Sequence, residues 1–235
     1  MRHREEMPVV GLAVPRQVQE VVDECVARFG DNLKAVLWHG SWARGEANAA
    51  SDHDLMLIFQ QVDETVLLAL RDIFRDRENW SASVRSEEEL RQLPPDRRLQ
   101  FAYGFRVLHG RFEPLTVSPE NVLAELRSLA EDIAFQCRYR LVHKHGDWPR
   151  QVRMMHYTAK NALLCMKARH LLRHGRYPET RAELLSLVDD PAERQIIDWV
   201  ERWQEVRPAF EADPAPLMLH LDAFARRLLQ SLSPE

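Results

Sequence analysis

Apolar residues in the first half of the chain follow two kinds of spacing. Residues 16–29 carry apolar side chains three and four positions apart, which predicts a helix that ends at Gly30. Residues 33–38 and 54–59 are short, almost continuous apolar runs, which favour strands covered on both faces. Residues 80–85 alternate larger apolar with small polar side chains, as a half-buried strand does. The first half is therefore predicted to be a mixed α/β domain.

Polar residues at the borders of these segments predict where further elements begin. Asp63 precedes an amphipathic segment over 63–78 and is placed to cap a helix. Ser86 and Glu89 have the spacing of a capping box, which predicts a short helix directly after the third strand. A last short strand is predicted near 105–109.

Beyond residue 117 the spacing of apolar residues is helical throughout. Proline at the first helical position after Ser118 marks the first of these helices. The predicted helices span residues 119–145, 150–174, 181–188, 191–206 and 214–232. This change of pattern predicts an α+β protein with two domains. Residues 1–117 would form an α/β domain with a small mixed sheet, and residues 118–235 an all-α helical bundle.

Composition narrows the choice of partners. The 235 residues carry a formal net charge of −4 with acidic and basic residues mixed, so the basic surface that long nucleic acid requires is not expected. The N-terminal segment lacks the apolar core of a signal peptide, and no apolar run approaches the length of a membrane span. Three widely spaced cysteines fit reduced, buried thiols. We expect a cytoplasmic protein with a small partner and no membrane association, and we leave a homodimer open.

The most informative stretch is HGSWARGEANAASDHDLMLIF, residues 39–59. Residues two apart on a strand face the same side, so Asp52 and Asp54 are expected to present their carboxylates together while His53 points away. Two like charges repel each other unless a cation lies between them. Oxygen ligands are preferred by magnesium, which usually also holds substrate phosphates. The pair therefore predicts a Mg²⁺ site.

A Gly-Ser pair precedes these aspartates and follows a predicted strand. Glycine lets the backbone approach a ligand closely, and free N–H groups at a helix start attract phosphate. The hydroxyl of Ser41 adds one donor next to Gly40. A phosphate site beside a pair of metal-binding carboxylates is the arrangement that phosphoryl and nucleotidyl transfer require.

With these residues in place, the stretch resembles the signature of the nucleotidyltransferase superfamily that includes DNA polymerase β. The matching features are Gly40-Ser41, the Ala-Arg-Gly that follows Trp42, Ser51, and the Asp-x-Asp on a strand. This variant is similar to minimal nucleotidyltransferases and to antibiotic-modifying members such as kanamycin nucleotidyltransferase. The similarity extends from the end of the first helix to the strand at 80–85, and more loosely into the helical half.

The resemblance implies an N-terminal nucleotidyltransferase domain that binds ATP or another nucleoside triphosphate with Mg²⁺. Gly40 and Ser41 would hold the triphosphate, and Asp52 and Asp54 the metal. The nucleoside monophosphate would pass to a hydroxyl of an aminoglycoside-like small molecule or of a protein. Arg44 is either a phosphate contact or a surface arginine.

The chain departs from the family pattern at the third carboxylate. Active members place this group on the next strand, where alignment puts Ser83, with Ser81 on the same face. The resemblance to kanamycin nucleotidyltransferase suggests a base from the helical domain, for which Glu131 and Asp132 are the candidates. Alternatively, the enzyme works with one metal and an acceptor that is already nucleophilic.

Two further interpretations stay open. Catalysis could be lost altogether, which would leave a catalytically silent nucleotide-binding or antitoxin-type interaction protein. Arg138 and His143 also match the Arg-x4-6-His spacing of HEPN ribonucleases, although chance matches to so short a motif are common.

Overall fold

The computed structural model describes residues 13–47, 51–143 and 147–232. By contact density the chain divides into two compact units. The first contains the N-terminal part through Gln92 together with Gly104–Glu113, and the second contains Leu93–Tyr103 and the chain from Pro114 onward. The domain boundary near residue 117 stays a prediction.

A four-stranded mixed sheet organises the first unit. Its strands are β1 (Leu33–His39), β2 (His53–Phe59), β3 (Trp80–Ser86) and β4 (Arg106–Gly110). Their order across the sheet is β3-β2-β1-β4. Strand β1 pairs antiparallel with both β2 and β4, whereas β2 and β3 are parallel. The apolar runs predicted to be covered on both faces are indeed the two central strands.

Four α-helices accompany this sheet in the part of the first unit that the structure describes. They are α1 (Arg16–Phe29), α2 (Gly40–Ala43), α3 (Glu64–Phe74) and α4 (Glu87–Arg91). The core of the unit lies between α1, α3 and one face of the sheet, where Trp38, Leu57 and Phe59 are fully buried. The Asp63 side chain caps α3 by accepting a hydrogen bond from the Val66 N–H.

The predicted capping box of α4 is present with both of its hydrogen bonds. The Glu89 N–H donates to the Ser86 hydroxyl at 3.1 Å, and the Ser86 N–H donates to the Glu89 carboxylate at 2.6 Å. Each bond satisfies an N–H that the helix itself leaves without a partner. The helix therefore begins directly where β3 ends.

Within the described residues, six α-helices make up most of the second unit. They are α5 (Pro119–His143), α6 (Trp148–His174), α7 (Arg181–Leu187), α8 (Pro191–Glu201), α9 (Trp203–Ala212) and α10 (Ala215–Ser231). Helix α6 ends as predicted at Gly175, which adopts a left-handed conformation with φ 69°. Position 145, where the first of these helices was expected to end, lies outside the described residues.

The single helix predicted over 191–206 is wrong, since two helices occupy this region. The chain leaves helical geometry at Arg202 (φ −97°, ψ 29°) and starts again at Trp203, whose side chain is buried. The ring of Trp203 stacks on His156 of α6 with centroids 4.2 Å apart. Burial of this indole accompanies the break, and the local sequence carries no glycine or proline there to predict it.

The segment Leu93–Tyr103 leaves the first unit and packs within the second. Glu125 of α5 accepts a hydrogen bond from the Leu99 N–H at 3.0 Å. The rings of Tyr103 and Tyr177 stack with centroids 4.6 Å apart. The chain therefore crosses between the two units three times, at 92–93, 103–104 and 113–114.

The α+β fold class is confirmed, with a small mixed sheet followed by helices. Cys25, Cys137 and Cys165 are buried free thiols, whose pKa values burial raises. Over the described ranges, none of the helices has the length and apolar character needed to cross a membrane.

Candidate nucleotide and metal site

The two aspartates of the signature lie at one end of β2. Asp52 directly precedes the strand and Asp54 is its second residue. In the antiparallel pairing of β1 with β2, Asp54 lies opposite His39, the last residue of β1. Gly40 follows His39 and begins α2. The strand pairing therefore brings the Gly-Ser turn and the second aspartate to the same end of the sheet.

Gly40 and Asp54 are in close contact. A Cβ placed on Gly40 would lie 2.2 Å from Oδ2 of Asp54 and 3.2 Å from its Cγ, well inside the closest approach of real atoms. Gly40 also has φ 74°, a left-handed conformation that other residues adopt at a cost. Glycine is thus required at position 40 for two reasons. The backbone is left-handed there, and the Asp54 carboxylate occupies the space that a side chain would take.

The carboxylates at this place are oxygen ligands of the kind that magnesium prefers. Magnesium is usually bound by one or two carboxylates, with water and phosphate oxygens completing its coordination. Asp52 and Asp54 supply such a pair. Throughout residues 13–47, 51–143 and 147–232, no group of three or more His, Cys, Asp or Glu side chains is arranged to hold a metal ion by itself.

The register of β3 defines which residues flank Asp54. Ser81 lies in register with Asp54, and Ser83 in register with Met56. Both serines are exposed on β3, which lies at the edge of the sheet. The predicted common face is confirmed, but the serine directly beside Asp54 is Ser81, whereas the sequence alignment had put Ser83 at the third-carboxylate position.

Arg44 is held next to the Gly-Ser turn by an acidic neighbour. Its Nε donates to a carboxylate oxygen of Glu46 at 2.9 Å, and the Glu46 side chain is 9% exposed. The Glu46 N–H donates in turn to the carbonyl of Ser41 at 2.8 Å. Any phosphate contact by Arg44 therefore shares the guanidinium with Glu46.

Two histidines of the signature stay neutral at physiological pH. Burial, together with the positive charge of Arg44, lowers the pKa of His39 to about 4. Burial also lowers the pKa of His53, against the opposing negative charge of Asp52. Neither ring therefore adds a positive charge beside the aspartates.

Sequence reasoning missed an aromatic stack behind the aspartates, formed by Trp42, His53 and Trp80. The His53 ring lies between the two indoles, with centroid distances of 4.8 Å to Trp42 and 4.7 Å to Trp80. We refer to these three side chains as the signature stack. A histidine between the two aspartates and a tryptophan after Ser41 were visible in the sequence. Their contact depends on the pairing of β1 with β2, and the contact of His53 with Trp80 depends on the pairing of β2 with β3.

The helical candidates Glu131 and Asp132 lie on α5 and are exposed. Asp132 accepts a hydrogen bond from the Gln136 side-chain amide at 3.3 Å. Glu131 borders a surface cavity of about 420 Å³, lined mainly by α5. The roles of both acids stay predictions.

The pair that matched the ribonuclease spacing is also on α5. Arg138 donates to Asp222 of α10 at 2.7 Å. The His143 ring stacks on Tyr139, with centroids 5.1 Å apart. Each side chain has a contact within the second unit, and the ribonuclease interpretation stays a prediction.

Comparison with known proteins gives structural matches. No family model and no curated protein matches the sequence. Among solved structures, the spectinomycin adenyltransferase AAD(9) from Enterococcus faecialis, crystallised with ATP and spectinomycin, matches with a TM-score of 0.58 and 10% identity. This match covers 91% of this chain and 98% of that one.

A second match is a proposed nucleotidyltransferase from Sulfolobus solfataricus, with 22% identity over 43% of this chain and 84% of that one. Its TM-score is 0.30. The match to AAD(9) extends over most of both chains and includes a small sheet followed by helices. The chain therefore shares its overall fold class with AAD(9), a small mixed sheet followed by helices.

Proposed function

We propose that this protein transfers a nucleoside monophosphate from a magnesium-bound nucleoside triphosphate to a hydroxyl group of a second molecule. The observation that supports this best is the contact between Gly40 and the Asp54 carboxylate. It joins a turn suited to phosphate with a carboxylate suited to magnesium, at one end of one sheet. The similarity in fold to the adenyltransferase AAD(9) supports the same proposal independently.

Gly40 and Ser41 would hold the triphosphate. The first N–H groups of a helix have no intrahelical partners, and α2 begins at Gly40. The absence of a side chain at Gly40 admits the Asp54 carboxylate beside the turn, and the Ser41 hydroxyl would supply a further donor to the phosphates. Arg44 would add a charged contact from its position next to Glu46.

Asp52 and Asp54 would hold Mg²⁺. When bound, the ion neutralises the phosphate charge that grows as pyrophosphate leaves. The chain's contribution is to orient the two carboxylates. Burial of His53 on the opposite side of the strand keeps the backbone between them in place.

A hydroxyl acceptor must lose a proton, and neither Ser81 beside Asp54 nor Ser83 can supply a carboxylate to accept it. Glu131 and Asp132 are our candidates for a base, since both are exposed and able to accept a proton. Substitution of each by its amide tests this role separately from nucleotide binding.

We propose an aminoglycoside-like small molecule as the acceptor, with a protein hydroxyl as the second choice. The similarity in fold to AAD(9), which was solved with ATP and spectinomycin, supports the small molecule. The mixed surface charge argues in the same direction, because a polymer of phosphates would require a basic face. A cytoplasmic location and a homodimer remain predictions.

The alternative is a protein that binds nucleotide without transferring it, in the manner of an antitoxin-type interaction partner. Serines at positions 81 and 83, where a carboxylate would complete the site, favour this alternative. It differs from the main proposal in one measurable respect, because nucleotide would bind and never be consumed.

The experiment is incubation with Mg²⁺ and α-labelled ATP or GTP in the presence of a panel of aminoglycosides, other hydroxyl compounds and proteins. Wild type is compared with Asp54→Asn, Glu131→Gln and Asp132→Asn. Asp23→Asn is the matched control, since Asp23 is an exposed acid on α1.

We expect label transfer by wild type and Asp23→Asn, and none by Asp54→Asn. Transfer that persists in Asp54→Asn would refute the metal assignment. Tight nucleotide binding without transfer to any compound would favour the silent alternative. Full activity of both helical variants would exclude Glu131 and Asp132 as the base.

A further inference from the structure

The signature stack joins the two halves of the candidate site, which are the Gly40-Ser41 turn and the Asp52–Asp54 pair. Trp42 belongs to the same short helix as Gly40 and Ser41. His53 lies between the two aspartates, and its side chain is 5% exposed. The contact between these rings therefore connects the proposed phosphate turn directly to the proposed metal ligands.

A hydrogen bond also connects these two halves. The indole Nε1–H of Trp42 donates to the carbonyl of Ser51 at 3.2 Å. Ser51 immediately precedes Asp52. A single side chain of the Gly-Ser segment thus holds the backbone one residue before the first aspartate, in addition to its ring contact with His53.

His53 is fixed from three further directions. Its ring packs on Trp80 of β3 and accepts a hydrogen bond from the Gln17 side-chain amide at 2.7 Å. Its backbone N–H donates to the carbonyl of Asn79 at 2.8 Å. Because alternate residues of a strand point to opposite faces, anchoring His53 on the buried face sets the direction of its two neighbours on the other.

From these contacts we propose that Trp42 and His53 are positioning residues that set the separation between the Gly40-Ser41 turn and the Asp52–Asp54 pair. They do not touch the ligand themselves. Outer groups that orient metal ligands change metal affinity by about 10- to 100-fold when they are removed. The proposal rests on the proposed function in one respect, that Asp52 and Asp54 bind a divalent ion.

The test measures Mn²⁺ binding by electron paramagnetic resonance, with and without a non-hydrolysable ATP analogue, and the thermal unfolding of the metal-free protein. Trp42→Ala removes both the stacking and the hydrogen bond, whereas Trp42→Phe keeps an aromatic ring and removes only the hydrogen bond. His53→Phe keeps the stack and removes the bond from Gln17. Trp199→Ala is the matched control, because this partly buried tryptophan packs on Phe210 in the second unit.

We expect Trp42→Ala to weaken Mn²⁺ binding by roughly tenfold or more, and Trp42→Phe and His53→Phe to weaken it less. Trp199→Ala should lower the unfolding temperature and leave Mn²⁺ affinity unchanged. This difference separates a positioning role from a general loss of stability. The two phenylalanine variants keep the test valid if Trp42→Ala does not fold.

Asp54→Ala, measured in parallel, separates failure of this inference from failure of the proposed function. If Asp54→Ala abolishes Mn²⁺ binding while all three stack variants bind like wild type, the positioning role is refuted and the metal site stands. If Asp54→Ala binds Mn²⁺ as tightly as wild type, or wild type binds none, both proposals are overturned.

Discussion

Replacing Gly40 by alanine perturbs the candidate site at its closest contact. The new methyl carbon would lie 2.2 Å from Oδ2 of Asp54. Carbon and oxygen atoms in contact are about 3.3 Å apart, so the carboxylate would have to move by about 1 Å. Misplacements of about 1 Å in a catalytic constellation lower rates by roughly 100-fold. The left-handed backbone adds a cost of about 1–2 kcal/mol in stability.

Gly104→Ala separates the two contributions. Gly104 has φ 75°, close to the 74° of Gly40, but no atom lies within 4 Å of an added Cβ. Both variants should therefore lose about 1–2 kcal/mol of unfolding free energy from the backbone. Only Gly40→Ala should also lose affinity for Mn²⁺ and nucleotide, by roughly 10- to 100-fold.

Isothermal titration calorimetry with Mn²⁺ and urea unfolding monitored by circular dichroism measure the two effects. Combining Gly40→Ala with Asp54→Ala completes a double-mutant cycle for the free energy of unfolding, since the second change removes the obstructed carboxylate. The reasoning is refuted if Gly40→Ala binds Mn²⁺ within about twofold of Gly104→Ala, a difference well below the 10- to 100-fold expected.

Three further predictions concern titration and the edge of the sheet. Burial raises the pKa of Glu125 from 4.5 to about 7, so the folded state binds more protons than the unfolded state in this window and stability falls as pH rises through it. In urea unfolding, the free energy of unfolding of Glu125→Gln relative to that of wild type should therefore rise by about 2–3 kcal/mol between pH 5 and pH 8. If this relative free energy does not change with pH, burial is not the cause. Burial lowers the pKa of His156 from 6.5 to about 3, so the free energy of unfolding of wild type should fall as pH falls below 6.5. In thermal scans His156→Phe should lose less stability over this pH range. An equal decline in both proteins would contradict the prediction. Ser81→Asp should bind Mn²⁺ more tightly than wild type and than Ser83→Asp, because position 81 is in register with Asp54. Tighter binding by Ser83→Asp in calorimetry would show that the third-carboxylate position is 83.

Local patterns were sufficient for most of the sheet and for several helix starts. Apolar continuity identifies central strands because both of their faces are buried, as β1 and β2 show. The Ser86–Glu89 capping box is equally readable, since both of its bonds join residues three apart. The Gly-Ser and Asp-x-Asp pairs could be placed near each other because each borders a predicted strand.

Features set by distant contacts could not be predicted. The register of β3 decides that Ser81 flanks Asp54, and strand register depends on pairing between chain segments. The break at Arg202 accompanies packing of Trp203 against α6, in a stretch whose helical spacing continues across it. The place of Leu93–Tyr103 in the second unit depends on Glu125, which is 26 residues away from its partner Leu99.

The central claim is that Asp54 and the Gly40-Ser41 turn bind a divalent ion together with a nucleoside triphosphate. Calorimetric titration of a non-hydrolysable ATP analogue, with and without Mg²⁺, tests this directly in wild type, Asp54→Asn and the control Asp23→Asn. The account predicts Mg²⁺-dependent binding in wild type and in the control, and its loss in Asp54→Asn. Equal binding by all three proteins, or binding that does not depend on Mg²⁺, would contradict it.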